Sequence, residues 1–355
     1  MTYRFFSALA ALLVCTTGLF AQGERKDKTA VTYEELYDEP YSVNKLFIGF
    51  IPLYADMFAT NLNAGYGVEA VYYHKDKFDF RAHFRKTYSR QFYDYARDLA
   101  SKKSDVDNHA EIYNYYEFGA TYHIKDFEES SKTKMFLYKN SYKGNKWAAR
   151  VPLNAEIPCK VRKIYGARLG GIFWDSSTDL GRVLDKQGLT NADLKNEEGV
   201  GLPKTIVKNG ETESFDVFSN VASRGLYVGG SMTWIKNVAV SFDKFEEGVD
   251  DLIFTVYLDA LIAPSLVVDD VVYDDQDPLS PTAGKHIYST SVIDTKMIGF
   301  RAGMEGRFNR MFSWSYGGEI GYRPSISGQG LYVMFKIAFP VFGTNLDYKV
   351  ESFGK

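Results

Sequence analysis

The stretch that decides the fold is Met311-Phe312-Ser313-Trp314-Ser315-Tyr316-Gly317-Gly318-Glu319-Ile320-Gly321-Tyr322. Its even-numbered positions are apolar or aromatic apart from one glycine, and the odd-numbered positions after Met311 are small or polar. Because successive side chains of a β-strand point to opposite faces, this two-residue period predicts a strand with one apolar and one polar face. Six other segments repeat the pattern: residues 78–85, 111–124, 146–157, 251–259, 297–307 and 331–339.

The length of these runs favours a membrane barrel over an ordinary globular sheet. The strands predicted from most of them extend over about 10–14 residues, whereas globular strands average about 5–6 and a tilted membrane-spanning strand needs about 9–11. Alternation, unequal loops and aromatic enrichment, here 16% of 355 residues, are typical of outer-membrane barrels. The sequence therefore predicts an all-β fold, an antiparallel transmembrane β-barrel.

Segment placement predicts about twelve strands, within a range of eight to fourteen, over residues 45–342. Constant parity from Leu226 to Phe242 predicts one long strand over 224–243 rather than a hairpin. The predicted strands are 45–55, 64–74, 77–88, 111–124, 133–143, 145–157, 161–174, 224–243, 251–262, 295–307, 311–322 and 329–342.

An even number of strands places both chain ends on one side of the barrel. The longest linkers then all fall on the opposite side, which is the asymmetry expected of outer-membrane barrels; they are 89–110, 175–223 and 263–294. Helical patterning is weak, and only Tyr93–Lys103 and Asn191–Glu198 could each form a turn or two.

The first residues predict export. One positive charge at Arg4 precedes an apolar run over Phe5–Phe20, and charges begin again at Glu24. This is the pattern of a secretory signal peptide, with cleavage expected after Ala21 and the outer membrane of a Gram-negative bacterium as the destination. We expect residues 1–21 to be removed, 22–44 to form a periplasmic N-terminal segment and 343–355 a C-terminal tail. After cleavage Cys159 is the one cysteine, so no internal disulfide is expected.

A soluble β-sandwich or β-barrel that binds a ligand in its cavity is the alternative fold. Its strands would show the same alternation, with the aromatic face as the core. Strand length, aromatic content and loop asymmetry favour the membrane. The net charge of −3 argues against a nucleic-acid partner, since such proteins usually carry a basic excess.

In a barrel the polar face of each strand points into the lumen. The charged residues predicted there are Arg81, Arg85, Glu117, Arg150, Glu156, Arg168, Asp259, Arg301, Glu305 and Glu319, with Glu69, Asp79, Arg162 and Arg307 on the same faces. One interpretation is a network of ion pairs that fills the barrel, because buried charges must be paired. The other is a pore whose charges guide a solute.

Neither an enzyme nor a metal or cofactor site is predicted. No histidine lies in an HExxH motif and no serine in a GxSxG motif. The acidic stretch 269–277, with Asp269, Asp270, Asp274, Asp275 and Asp277, could offer oxygens to Ca²⁺. It lacks the turn glycine and closing glutamate of an EF-hand loop, so a solvated acidic loop is the favoured interpretation.

Three segments resemble outer-membrane β-barrel proteins of Bacteroidota-type bacteria: Leu19-Phe20-Ala21-Gln22, Tyr113-Asn114-Tyr115-Tyr116-Glu117-Phe118-Gly119 and Gly330-Leu331-Tyr332-Val333-Met334-Phe335-Lys336. The resemblance covers most of the chain in style and carries no diagnostic motif. It implies contact with outer-membrane lipids and either of two functions. One is a structural or accessory barrel of a secretion or gliding machinery, which binds envelope proteins through its outer loops or N-terminal segment. The other is a porin-like diffusion channel.

Overall fold

The computed structural model describes residues 33–59, 61–88, 104–137, 153–208, 211–242, 245, 247–276, 283–309 and 314–343. Within them the chain forms a closed barrel of ten antiparallel strands. The strands are β1 (Leu46–Phe58), β2 (Asn61–His74), β3 (Phe78–Thr87), β4 (Asn114–Leu137), β5 (Leu153–Asp179), β6 (Phe218–Ile235), β7 (Leu252–Val268), β8 (Ile298–Phe308), β9 (Ser315–Tyr322) and β10 (Leu331–Gly343). Each strand pairs with the next along the chain, and β10 pairs with β1 to close an up-and-down barrel. The predicted all-β barrel is confirmed.

The strand count is ten rather than about twelve, because two pairs of predicted strands are each one strand. Residues 114–124 and 133–137 of two predicted strands both belong to β4, and residues 153–157 and 161–174 of two others both belong to β5; residues 138–152 lie outside the described residues. Between the two parts of β4, residues Glu128–Lys132 are exposed on both faces. Backbone pairing with β5 continues through them, although apolar alternation stops.

The connections differ between the two ends of the barrel, as the sequence predicts. At the end where β1 begins and β10 ends, β2 and β3 are joined by residues 75–77 alone, and β6 and β7 are joined by residues 236–251. The long connections 88–113, 180–217 and 269–297 all lie at the opposite end. We call these the terminal end and the cap end. Of the two predicted helical turns, Asn191–Glu198 contains a short 3₁₀ helix, Asn191–Asp193, and Tyr93–Lys103 lies outside the described residues.

The cap-end connections fold together into a cap with its own apolar core. It contains helix α1 (Leu180–Gln187), which the sequence did not predict, and which begins where the Asp179 carboxylate accepts a hydrogen bond from the N–H of Arg182. It also contains the short strand pairs Thr205–Lys208 with Glu211–Ser214, Val271–Asp275 with Gly284–Tyr288, and Thr295–Lys296 with Ser325–Ile326. The cap core is continuous with apolar side chains at the mouth of the barrel; it includes Leu180, Val183, Leu184, Leu194, Leu202, Phe215, Val271, Tyr288 and Ile326.

A smaller subdomain lies at the terminal end. Its sheet consists of Tyr33–Asp38, Val238–Phe242 and Gly248–Asp250, with the middle segment at the centre. Tyr122 is the last residue of β4 that pairs with β3. Beyond it, β4 and β5 remain paired with each other and continue as a two-stranded ribbon. The sheet and the ribbon share one apolar core of Met135, Leu137, Ile157, Cys159, Val161, Val238, Val240 and Phe242.

The prediction of one strand over 224–243 is therefore wrong. The chain leaves the barrel after Ile235, and buried Asn237 marks the break. The Asn237 side-chain amide donates to the carbonyl oxygens of Glu39 and Ser42 at 2.9 and 3.1 Å. Apolar alternation continues across the break because the second piece has a core of its own, so parity alone does not reveal it.

Candidate functional site: the charged interior of the barrel

Charged side chains of balanced sign fill the barrel interior and its terminal-side rim. The described residues bury eight arginine or lysine side chains and eight carboxylates, none more than 7% exposed. An unpaired buried charge costs several kcal/mol, so the balance is a condition for folding. The cations are Arg81, Arg85, Arg162, Arg168, Arg301, Arg307, Arg323 and Lys336, and the anions are Asp56, Glu69, Asp79, Glu117, Asp251, Asp259, Glu305 and Glu319.

Most of the residues that the sequence placed in the lumen are buried on the barrel strands. They are Arg81, Arg85, Glu117, Arg168, Asp259, Arg301, Glu305 and Glu319. The prediction for Glu156 is wrong: it lies on the ribbon beyond the barrel, its side chain is 50% exposed and it pairs with Lys132. The alternation places Glu156 on the same face of β5 as Arg168, but at Glu156 the strand has left the barrel and this face borders solvent. Arg150 lies outside the described residues.

Arg301 on β8 is the centre of the cluster nearer the cap end. Its guanidinium donates to Glu117 on β4 at 2.5 and 3.0 Å and to Asp259 on β7 at 2.8 Å. Asp259 also accepts a hydrogen bond from Arg168 on β5 at 3.0 Å. β8 and β4 are not neighbours in the sheet, so the Arg301–Glu117 pair crosses the interior.

Lys336 on β10 is the centre of a second cluster nearer the terminal end. Its ammonium group donates to Glu69 on β2 and to Glu305 on β8, each at 2.7 Å, and lies 3.1 Å from Nδ1 of His83 on β3. Glu305 also accepts from Arg81 at 2.8 Å. These contacts join four strands that are mostly not adjacent, so this level of the interior is bridged as well.

Three important interior residues were absent from the predicted set. Asp56 is fully buried and accepts two hydrogen bonds from Arg323, at 2.8 and 3.2 Å. Lys336 alternates with outward-facing apolar residues of β10, so its place was readable from parity. Asp56 and Arg323 lie just beyond the predicted strand ends, where no alternation marks a face.

Tyrosine rings fill the space between the arginines. The Arg301 guanidinium lies 4.5 Å from the Tyr227 ring centroid, and the Arg323 guanidinium lies 3.7 Å from that of Tyr332. Such cation–π contacts are strongest where both partners are shielded from water. Within the described residues, aromatic rings and ion pairs pack together in the interior.

The N-terminal segment crosses the terminal-side mouth of the barrel. Residues 39–45 connect Asp38, which pairs with Val238 just after β6, to the start of β1. β1 and β6 lie on opposite sides of the ring of ten strands. On the way, the Asn44 N–H donates to Asn309 Oδ1 at 2.8 Å, and Asn309 Nδ2 donates to the Ser42 carbonyl at 2.8 Å. This segment therefore lies across the mouth at the terminal end, and the cap lies at the opposite end.

The acidic stretch after β7 uses its carboxylates locally. Asp269 accepts a hydrogen bond from Asn220 at 3.0 Å, and Asp270 accepts from the Thr290 backbone N–H at 2.9 Å. Asp277 lies outside the described residues. Within the described ranges no group of three or more histidine, cysteine, aspartate or glutamate side chains is arranged to hold a metal ion.

Comparison with known proteins adds no relative: no family model matches the chain, and no curated protein matches it. In the described part of the chain, no helix is long and apolar enough to cross a membrane.

Proposed function

We propose that this protein is an integral barrel of the Gram-negative outer membrane, closed inside, that acts as a structural or accessory component of an envelope machinery such as secretion or gliding. Residues 1–21 are, in this proposal, its export signal. The observation that carries the membrane assignment is the outer surface of the barrel. Every barrel strand exposes large apolar side chains on this surface. One example from each strand, each between 42% and 63% exposed, is Leu53, Leu62, Phe80, Phe118, Leu169, Val228, Leu258, Phe300, Ile320 and Phe335.

Such a belt is unfavourable in water. Soluble monomers rarely expose contiguous apolar patches larger than a few hundred Å², and here the apolar residues encircle the molecule. Sixteen charged residues are buried in the interior and at its rim, so over the barrel the usual arrangement of a soluble protein is inverted. This inversion favours the bilayer over the soluble ligand-binding barrel.

Aromatic pairs near the terminal end support a membrane interface at that level. The ring centroids of Phe78 and Tyr122, on β3 and β4, are 5.2 Å apart, and those of Trp234 and Phe254, on β6 and β7, are 5.9 Å apart; Trp234 also packs against the terminal-side core. Phe308, Trp314 and Tyr316 form a third group. Tryptophan and tyrosine concentrate where apolar chains meet headgroups.

The closed interior supports the accessory role over the diffusion channel. Ion pairs cross the barrel at two levels, the N-terminal segment lies across the mouth at the terminal end, and the cap lies at the opposite end. A solute would have to displace Arg301 or Lys336 from carboxylates that have few other partners. The cap and the terminal-side subdomain offer folded surfaces on both sides of the membrane for partner proteins.

Two measurements test the proposal. Outer-membrane fractionation with heat-modifiable gel migration tests the barrel in the bilayer; recovery of the folded protein in the soluble periplasmic fraction would refute it. Planar-bilayer recording of the purified protein tests the closed interior. We expect no steady conductance, and a steady open pore in the wild-type protein would establish the channel instead.

A further inference from the structure

The N-terminal strand Tyr33–Asp38 is the least packed strand of the terminal-side sheet. It lies at an edge of that sheet, and none of its six residues is buried. The strand that it pairs with, Val238–Phe242, buries four of its five residues. The pairing is also irregular between Glu35 and Tyr37. Segments with few buried contacts open most readily by local unfolding. This strand continues directly into residues 39–45, which we call the strap.

Two buried asparagine side chains hold the strap at the mouth of the barrel. The Glu39 N–H donates to the Asn237 carbonyl at 3.0 Å, and the Asn237 side-chain amide donates back to the Glu39 carbonyl at 2.9 Å. Asn309 holds the second half of the strap. Its side chain donates to the Ser42 carbonyl and accepts from the Asn44 N–H, both at 2.8 Å.

The strap also makes an apolar contact with the barrel through Val43. This side chain packs against a small cluster of Ile164, Ile235 and Ile253, which lie on β5, β6 and β7 and are at most 3% exposed. The cap, by contrast, shares a continuous apolar core with the opposite mouth. The strap is therefore the less firmly packed of the two segments that lie at the mouths.

The charged interior begins directly beyond these isoleucines. Thr255 follows Ile253 by two residues on β7, which is about 7 Å further into the barrel, and it pairs with Glu305 on β8. Glu305 accepts a hydrogen bond from Lys336 at 2.7 Å. The contact between the strap and the isoleucines therefore separates the Lys336 cluster from the aqueous side of the mouth.

We propose that the strap and the strand Tyr33–Asp38 form one releasable unit. When a partner protein pairs with this strand and draws it out of its sheet, the strap leaves the mouth, and water reaches the interior as far as the Lys336 cluster. The ion pairs around Arg301 lie further in and stay formed, so no continuous pore results. This inference deepens the proposed function and rests on it, since it concerns a barrel that is closed when no partner is bound.

The reactivity of one cysteine in the full-length protein, folded in micelles, tests the release. The reporter is Thr255→Cys in a Cys159→Ala background, and a charged methanethiosulfonate is the reagent. Thr255 is 3% exposed, so we expect slow labelling while the strap is in place. Asn309→Ala should raise the labelling rate about tenfold or more, because it removes two hydrogen bonds to the strap. An unchanged rate would overturn the proposal.

Asp38→Ala tests whether the strand and the strap open together, and it serves in case Asn309→Ala does not fold. The Asp38 carboxylate accepts the Lys160 N–H at 2.9 and 3.1 Å, so its removal loosens the strand and leaves the asparagine contacts in place. Labelling of Thr255→Cys should become several-fold faster. Glu34→Ala is the matched control, because it removes an exposed carboxylate of the same strand. Equal rates in the two variants would refute the coupling.

A second reporter, Ser223→Cys, distinguishes release of the strap from general loosening. Ser223 is 2% exposed and lies on β6 in the cap-side half of the barrel. We expect its slow labelling to stay unchanged in every variant, and equal acceleration at both reporters would overturn the strap mechanism. A steady pore in the wild-type protein would refute the closed interior and with it the proposed function. A silent barrel with unchanged labelling of Thr255→Cys would refute the strap mechanism alone.

Discussion

Removal of Arg301 should strongly destabilise the barrel, and the loss can be reasoned from its contacts. Arg301→Met keeps much of the side-chain volume and removes the charge. Asp259 keeps its hydrogen bond from Arg168 at 3.0 Å, but Glu117 keeps only the one from the Tyr115 hydroxyl at 2.8 Å. A buried charge left without its partner typically costs about 3–5 kcal/mol, and we expect that loss in the free energy of unfolding.

The assay is equilibrium urea unfolding in micelles, followed by tryptophan fluorescence and by gel migration of unheated samples. Glu117→Gln in the Arg301→Met background removes the unpaired charge and should recover part of the loss, giving a coupling energy of about 1–3 kcal/mol. Lys132→Met is the control, because its ion pair with Glu156 is exposed (67% and 50%) and such pairs contribute about 0–1 kcal/mol. A loss below about 1 kcal/mol for Arg301→Met would refute the cross-braced interior, since burial and pairing would then not govern this charge.

Three further predictions concern packing and the N-terminal segment. Gly119→Ala should cost about 1–3 kcal/mol in unfolding free energy, because its Cβ would lie 1.8 Å from the Tyr227 hydroxyl. Gly230→Ala, whose Cβ would meet nothing closer than 3.7 Å, should stay within about 0.5 kcal/mol, and equal effects would contradict the packing argument. Asn237→Ala removes the hydrogen bonds to the Glu39 and Ser42 carbonyls, so it should accelerate amide hydrogen exchange in the strand Tyr33–Asp38 and leave exchange in the barrel strands unchanged. Uniform acceleration would mean that Tyr33–Asp38 does not open independently of the barrel. In the same variant the buried Cys159 thiol should react faster with maleimide than in the wild-type protein, and an unchanged rate would show that the terminal-side core stays closed.

Parity in the sequence predicted which residues face inward because a closed barrel gives each face of a strand a single environment. Arg81 and Phe80 are adjacent in the chain, yet one is 7% and the other 45% exposed. Where the strands leave the barrel, this link between face and environment ends. Glu156 has the parity of a lumen residue but lies in solvent, because alternation resumes on the ribbon beyond the polar stretch Glu128–Lys132.

The partners in the interior could not be predicted from the sequence. Asp56 and Arg323 are separated by 267 positions, and they meet because the barrel closes and its strands have a particular stagger. A pattern within one strand carries no information about stagger between strands. Helix α1 was missed for a related reason: it has eight residues, and its three buried ones, Leu180, Val183 and Leu184, are stabilised by the cap core.

The abundance of tyrosine and arginine follows from the width of the barrel. About eight strands leave an interior that side chains of ordinary size just fill, and ten leave a wider one. Aliphatic side chains on opposite walls of such a barrel would not meet, whereas arginine and tyrosine reach toward the centre and bond there. Trp174, Arg85, Arg301, Arg323 and Tyr54 are the largest of the fully buried side chains. The same residues contribute to the mean hydropathy of −0.26, because polar groups brace the barrel from within.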